Sequence, residues 1–186
     1  MVTITISGKA CAGKDTTSNI LGKKLEKYGF KVIKATLKTF AKEKGLDILE
    51  FEKIYAENSE EWDRKLDEWQ REVVKKYKNC ILVSMLAAYN VPDAELKVFL
   101  TASEAERAKR AMKRDGIPKE KALEYIRERD RVFRKRIRRI YGIDPWDPKL
   151  YDVIIDNTNM TPEETVEKIM FELKERNLLK NFDNDS

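Results

Sequence analysis

Residues 2–15 read VTITISGKACAGKD: a β-branched run, a turn bounded by Gly8 and Gly13, then Lys14 at the head of a stretch that suits a helix. Alternation of Val2, Ile4 and Ile6 with Thr3 and Thr5 predicts a strand that ends at Ser7 and Gly8. GKACAGKD, residues 8–15, fits G-x-x-x-x-G-K, and a strand before it and a helix after it are the context this phosphate-binding pattern needs. The two glycines let successive N–H groups face phosphate oxygens. Lys14 adds a mobile cation between the terminal phosphates, and the helix after it points its positive end at the anion. The expected ligand is a nucleoside triphosphate held by Gly8, Lys9, Ala10, Cys11, Ala12, Gly13, Lys14, Asp15 and Thr16. Asp15 stands where Ser or Thr is usual, which makes it the candidate Mg2+ ligand, directly or through water. Thr16 offers a hydroxyl to a phosphate. A ligand-free glycine turn would require strand, glycine spacing, lysine and helix to coincide by chance.

Outward from the loop, Ile20, Leu21, Leu25 and Tyr28 predict a helix that stops at Gly29, followed by the strand FKVIKA at 30–35. Helices are expected at about 47–56 and 60–77. In the second, Trp62, Leu66, Trp69, Val73 and Tyr77 form one stripe, which reads as core more than as a stacking platform. Strands CILVSML (80–86) and LKVFL (96–100) precede a charged helical region at 104–141, broken at GIP (116–118). The strand YDVIID (151–156) and a helix at 162–176 complete the pattern. Five short strands alternating with helices imply an α/β fold with a five-stranded parallel sheet flanked by helices and a ligand beyond its carboxyl edge. One domain over 1–180 with a frayed tail at 181–186 is expected.

The chain has 186 residues, 41% hydrophobic and 38% charged, which suffices for one core. It contains no His, which excludes Ser-His-Asp hydrolysis, imidazole acid–base chemistry and His-ligated zinc. Two cysteines, Cys11 and Cys80, suit a reducing compartment. No apolar run approaches about 18 residues. With no secretory signal visible either, a cytoplasmic protein is expected. Residues 107–139 carry 15 Lys or Arg against 5 Asp or Glu, so the remainder of this +5 chain is net negative. The basic character is local.

Several segments together carry a wider similarity: FAKEKG at 40–45, DRKLD at 63–67, RAKRAMKRDGI at 107–117, RERDRVFRKR at 127–136, and YGID followed by YDVIIDNT between 141 and 158. With the phosphate loop, they resemble archaeal cytidylate kinases, within the nucleoside monophosphate kinase group. The resemblance implies a P-loop nucleoside triphosphate hydrolase fold with acceptor-binding helices at about 36–78 and a helical lid at about 107–139. It implies ATP and Mg2+ as cofactors and transfer of the γ-phosphoryl group to a nucleoside monophosphate, CMP or dCMP among the candidates. Partners are then a nucleoside triphosphate and a small acceptor, expected to be a nucleotide. Contact of the basic stretch with nucleic acid is less favoured, because no recognition module is evident. Other readings are a kinase for another small acceptor, or an ATP-binding regulatory or RNA-associated protein without activity.

By the same resemblance, Arg110 and Arg114 match basic positions at the start of the lid, next to the donor nucleotide. Arg129 and Arg136 match the arginines that close on the transferring phosphates and join Lys14 as the catalytic set. Dispersed positive charge is what phosphoryl transfer requires. Arg107, Arg127, Arg131, Arg134 and Arg138 read as surface charges. Asp63 and Asp67, one turn apart, fall near the acceptor, or else form an ordinary solvated face. The acceptor side also departs from the family pattern. Lys34 and Lys38 replace its Gly and Arg after the second strand, and Val83, Ser84 and Met85 replace its Glu-Gly-Arg after the third. Lys38 and Met85 therefore join Asp63 and Asp67 as acceptor-site residues. Met85 offers no bidentate partner to a phosphate, so CMP is expected to be a poor substrate.

Overall fold

The computed structural model describes residues 1–179, and the expected frayed tail lies outside them. Five strands, β1 (Val2–Gly8), β2 (Lys31–Lys34), β3 (Asn79–Val83), β4 (Leu96–Thr101) and β5 (Val153–Asp156), form one sheet in the order β2-β3-β1-β4-β5. All four pairings are parallel, with Ile4 opposite Ile81 on one side and Leu96 on the other. The helices are α1 (Lys14–Leu25), α2 (Leu37–Glu43), α3 (Ile48–Glu57), α4 (Ser59–Val74), α5 (Ala87–Asn90), α6 (Glu104–Asp115), α7 (Lys119–Tyr141) and α8 (Pro162–Glu175).

The period of two along each strand sorts the core into two layers. Ile4, Ile6, Ile81, Val83, Val98 and Leu100 pack with Leu21 and Leu25 of α1 and Val166, Ile169 and Leu173 of α8. Cys80, Leu82 and Ile33 pack the opposite way, against Phe40 of α2, Phe51 of α3 and Trp69 and Val73 of α4. Both faces of the sheet are thus covered, as parallel sheets require. Trp62 stacks edge-on to Phe51 with centroids 4.9 Å apart, and Trp69 does the same to Phe40 at 5.6 Å. Trp62, Leu66, Trp69 and Val73 of the expected stripe are core, whereas Tyr77 falls past the end of α4 and is exposed.

Two elements differ from the sequence expectation. The helix α2 was not anticipated; Thr36 caps it by accepting from the Thr39 amide while Thr39 returns a bond to the Thr36 amide. The strand expected at 80–86 ends at Val83. Ser84 turns the chain out of the sheet, its Oγ accepting from the Leu86 amide while donating to Gln70 at 2.8 Å, and α5 follows. Ser103 caps α6, accepting from the Glu106 amide at 3.2 Å, and Ala108 and Ala111 of α6 pack on Ala122 and Ile126 of α7 as a helical hairpin. Among the described residues no helix is long and apolar enough to cross a membrane.

Candidate active site

The turn between β1 and α1 lies at the carboxyl edge of the central strand. A Cβ on Gly8 would meet the Leu100 carbonyl oxygen at 2.3 Å, so only glycine lets the loop leave β1 beside β4. Gly13, at φ 90°, turns the chain into the helix and caps α1. The amides of Cys11, Gly13, Lys14, Asp15 and Thr16 have no protein acceptor among the described residues and open on the loop. The Lys14 ammonium folds back over them and donates to the carbonyls of Gly8 and Lys9, both at 2.9 Å. Burial lowers its pKa to about 8, Asp15 opposing and Arg129 reinforcing the shift. Asp15 is exposed, its nearest cation the Lys34 ammonium at 3.8 Å. The amide of Ala10 behaves differently from its neighbours: it donates to Asp130 Oδ1 at 3.1 Å and does not face the loop interior.

A single cleft of about 830 Å³ runs from this loop to α4. Its far end holds Asp63 and Asp67, both only 6% exposed, which removes the solvated-face reading of this pair. Asp63 Oδ1 accepts from the Tyr55 hydroxyl at 2.7 Å, and Oδ2 lies 3.1 Å from Arg136 Nε. Asp67 accepts from Asn90 at 2.6 Å, from Gln70 at 3.2 Å and from the Tyr141 hydroxyl. Burial raises the pKa of both carboxyls, and these hydrogen bonds hold the rise back. Lys38 reaches the rim of this end, and Met85 lines its wall, packed on the cluster of Leu86, Phe133 and Ile137.

The helical hairpin closes the third side. Arg110, Arg114, Arg129 and Arg136 all line the cleft. Arg110 donates to the side-chain and backbone oxygens of Asn157, whose own amide holds the Ala12 carbonyl at 2.9 Å. Arg114 is paired with Asp115. Of the ten arginines in 107–139, Arg129 is the one without a carboxylate partner among the described residues; it donates only to the Tyr125 hydroxyl at 3.2 Å. Arg129 lies at the Lys14 end, close enough to act on that ammonium, and Arg136 at the Asp63 end. Arg127, Arg131, Arg134 and Arg138 are surface ion pairs, as expected. Arg107 is a correction: it is 3% exposed and bonded to Asp130, Ala102 and the loop itself. Tyr55, Gln70, Asp130 and Asn157 were not anticipated. The one available signal was Asp130, a lone acid amid the arginines of RERDRVFRKR.

Residues 3–159 match the Cytidylate kinase-like family. The chain belongs to that family. It is 42% identical over 162 residues to a cytidylate kinase of Pyrococcus abyssi, covering 86% of this chain and 87% of that one. A cytidylate kinase 2 of Borreliella burgdorferi is 35% identical over 181 residues, covering 96% and 98%. Among solved structures, an uncharacterized protein from Eubacterium ventriosum superposes with a TM-score of 0.70 at 16% identity, covering 94% and 99%. A shikimate kinase from Bacteroides thetaiotaomicron does so at 0.61 and 16%, covering 93% and 98%. These two speak for the fold, which is that of P-loop kinases. This member of the cytidylate kinase-like family is an ATP-dependent nucleotide kinase.

Proposed function

We propose that the protein transfers the γ-phosphoryl group of ATP to a nucleoside monophosphate seated at the α4 end of the cleft, and that CMP is a weak acceptor there. The carrying observation is the continuity of the cleft: Lys14 and the open amides lie at one end and Asp63, Asp67 and Gln70 at the other, within one space of about 830 Å³. A phosphate monoester is already an anionic nucleophile, so a chain without His lacks nothing for this step. The protein has to align two phosphates and spread positive charge around the group between them.

In this reading the open amides of residues 11 and 13–16 cradle the donor phosphates, and Lys14 exchanges two carbonyls for phosphate oxygens. Arg110 and Arg114 flank the donor. Arg129, unpaired and directed at the same end, meets the transferring group as the helical hairpin serves as lid. Asp15 would hold Mg2+ together with phosphate oxygens and water; its exposure and its place in the first turn of α1 fit that task. The ion supplies neutralisation of the donor phosphates. At the far end Asp63 and Asp67 accept hydrogen bonds from the acceptor's sugar or base, and Lys38 gives its phosphate a point charge. Met85, in an apolar wall, gives it none, a loss that weakens CMP together with any other monophosphate. Mass-resolved transfer from ATP to a panel of nucleosides, nucleoside monophosphates and small alcohols tests this: phosphorylation confined to non-nucleotide acceptors would overturn it.

A further inference from the structure

Three parts of the site meet at one residue of the loop, Ala10. The Ala10 N–H donates to Asp130 Oδ1 at 3.1 Å, and the Ala10 carbonyl accepts from Arg107 Nη1 at 3.1 Å. Arg107 Nη1 also lies 2.7 Å from Asp130 Oδ2, and Arg107 Nε donates to the carbonyl of Ala102 just beyond β4. Arg107 comes from α6, Asp130 from α7 and Ala10 from the phosphate loop. Both charged side chains are buried, 3% and 8% exposed.

We propose that Arg107 and Asp130 are positioning residues: their buried ion pair grips the backbone N–H and C=O of Ala10, one from each of the two peptides that flank its Cα, and thereby sets the lid arginines in register with Lys14. The proposal rests on the nucleotide-kinase reading and adds residues to it that touch no substrate. Burying a carboxylate and a guanidinium carries a large desolvation cost, and an apolar pair of the same volume would join α6 to α7 as well. An apolar pair would not hold the loop. What this pair adds is two directional bonds to the residue that precedes the open amides. Arg129 adjoins Asp130 on α7, and Arg110 and Arg114 follow Arg107 by one and two turns of α6, so the anchor fixes the roots of all three. Misplacement of reacting groups by about 1 Å costs on the order of a hundredfold in rate.

Asp130→Asn is the decisive variant. It keeps the shape, yet the amide has one acceptor oxygen where two donors, the Ala10 N–H and the Arg107 fork, must be met. Arg107→Lys, which keeps the charge and gives up the fork, is the second variant. For each, calorimetry gives the dissociation constant for ATP with Mg2+ in the absence of acceptor, and steady-state assays give kcat with and without Arg129→Ala. Circular dichroism fixes a temperature at which all forms are folded. The expected result is ATP binding at least about threefold weaker and kcat at least about tenfold lower, the kcat loss shrinking below about threefold when Arg129 is already Ala. Values within about twofold of wild type for both affinity and kcat overturn the proposal, as does an equal kcat loss with and without Arg129. If wild type phosphorylates no nucleotide, the kinase reading fails separately, and the ATP affinities still decide the anchor.

Discussion

Arg136 on α7 and Asp63 on α4 face each other across the cleft with Nε and Oδ2 3.1 Å apart, yet neither atom has a hydrogen bond of acceptable alignment. Their attraction is therefore mainly Coulombic, while Arg136 Nη1 makes its directed bond to the Tyr55 hydroxyl at 2.9 Å. An arginine held this loosely beside the acceptor end can turn to a phosphate that offers two aligned oxygens. The contact also links the helical hairpin to α4, at the end of the cleft proposed above for the acceptor.

Replacing Arg136 by Ala is expected to lower kcat/KM at least about thirtyfold, because a guanidinium that turns to the acceptor phosphate would align that phosphate for attack. Arg134, two residues earlier, pairs with Asp144 and lies over Trp146 on the surface, so Arg134→Ala should stay within about threefold. Steady-state rates of both variants on one acceptor decide the matter. Equal small losses would return Arg136 to the surface class.

Lys14 has a pH signature of its own. Its folded pKa of about 8 lies below the ordinary 10.5, so between those values the unfolded chain holds a proton that the folded chain has released. Stability of the nucleotide-free protein therefore rises with pH through that window, and the full penalty is present below it. Lys14→Met removes the penalty and is expected to raise Tm at pH 7 by at least about 3 °C, with a smaller gain at pH 10. Thermal melts at the two pH values test this; a lower Tm for the variant at pH 7 would show that the two carbonyl bonds outweigh burial.

Asp67 holds three donors together, two of them, Gln70 and Asn90, buried. Asp67→Ala leaves Asn90, Gln70 and Tyr141 without their acceptor and should cost roughly 2–4 kcal/mol in urea unfolding. Asp67→Asn should cost roughly 1 kcal/mol, since the Tyr141 hydroxyl can turn to accept from the new amide. Similar costs for both variants would mean that the charge, and not the donor network, is what the fold requires.

Much of this was readable from pattern. The phosphate loop and the five strands announce themselves because glycine spacing and short apolar, β-branched runs are local properties of the chain. Asp63 and Asp67 stayed ambiguous because their helix also carries Arg64 and Lys65, and only the packing of α3 and α7 against α4 shows which side is buried. Arg107 was misread for a related reason. In a run of fifteen basic residues nothing local marks the one that turns inward, and its partners, Asp130 and Ala10, lie 23 and 97 residues away. The short helix α2 escaped because its cap is a Thr–Thr exchange without the acidic residue that usually advertises a helix start.

Met85 bears on acceptor choice. Its side chain belongs to an apolar cluster with Leu86, Phe133 and Ile137, so Met85→Arg would insert a guanidinium where no partner is prepared. CMP use should not improve in this variant, and wild-type kcat/KM for CMP should stay below about 10⁵ M⁻¹s⁻¹. A tenfold gain on substitution would show that a single side chain separates this cleft from a CMP site.

The most direct test compares wild type with Lys14→Ala in transfer of phosphate from ATP to a panel of nucleoside monophosphates, with products resolved by mass. Wild type is expected to convert at least one monophosphate to its diphosphate, and Lys14→Ala to lose at least about a hundredfold in kcat/KM on that acceptor while remaining folded. No diphosphate from any monophosphate, or a loss below about threefold in the variant, would contradict the assignment of this cleft as the site of nucleotide phosphorylation.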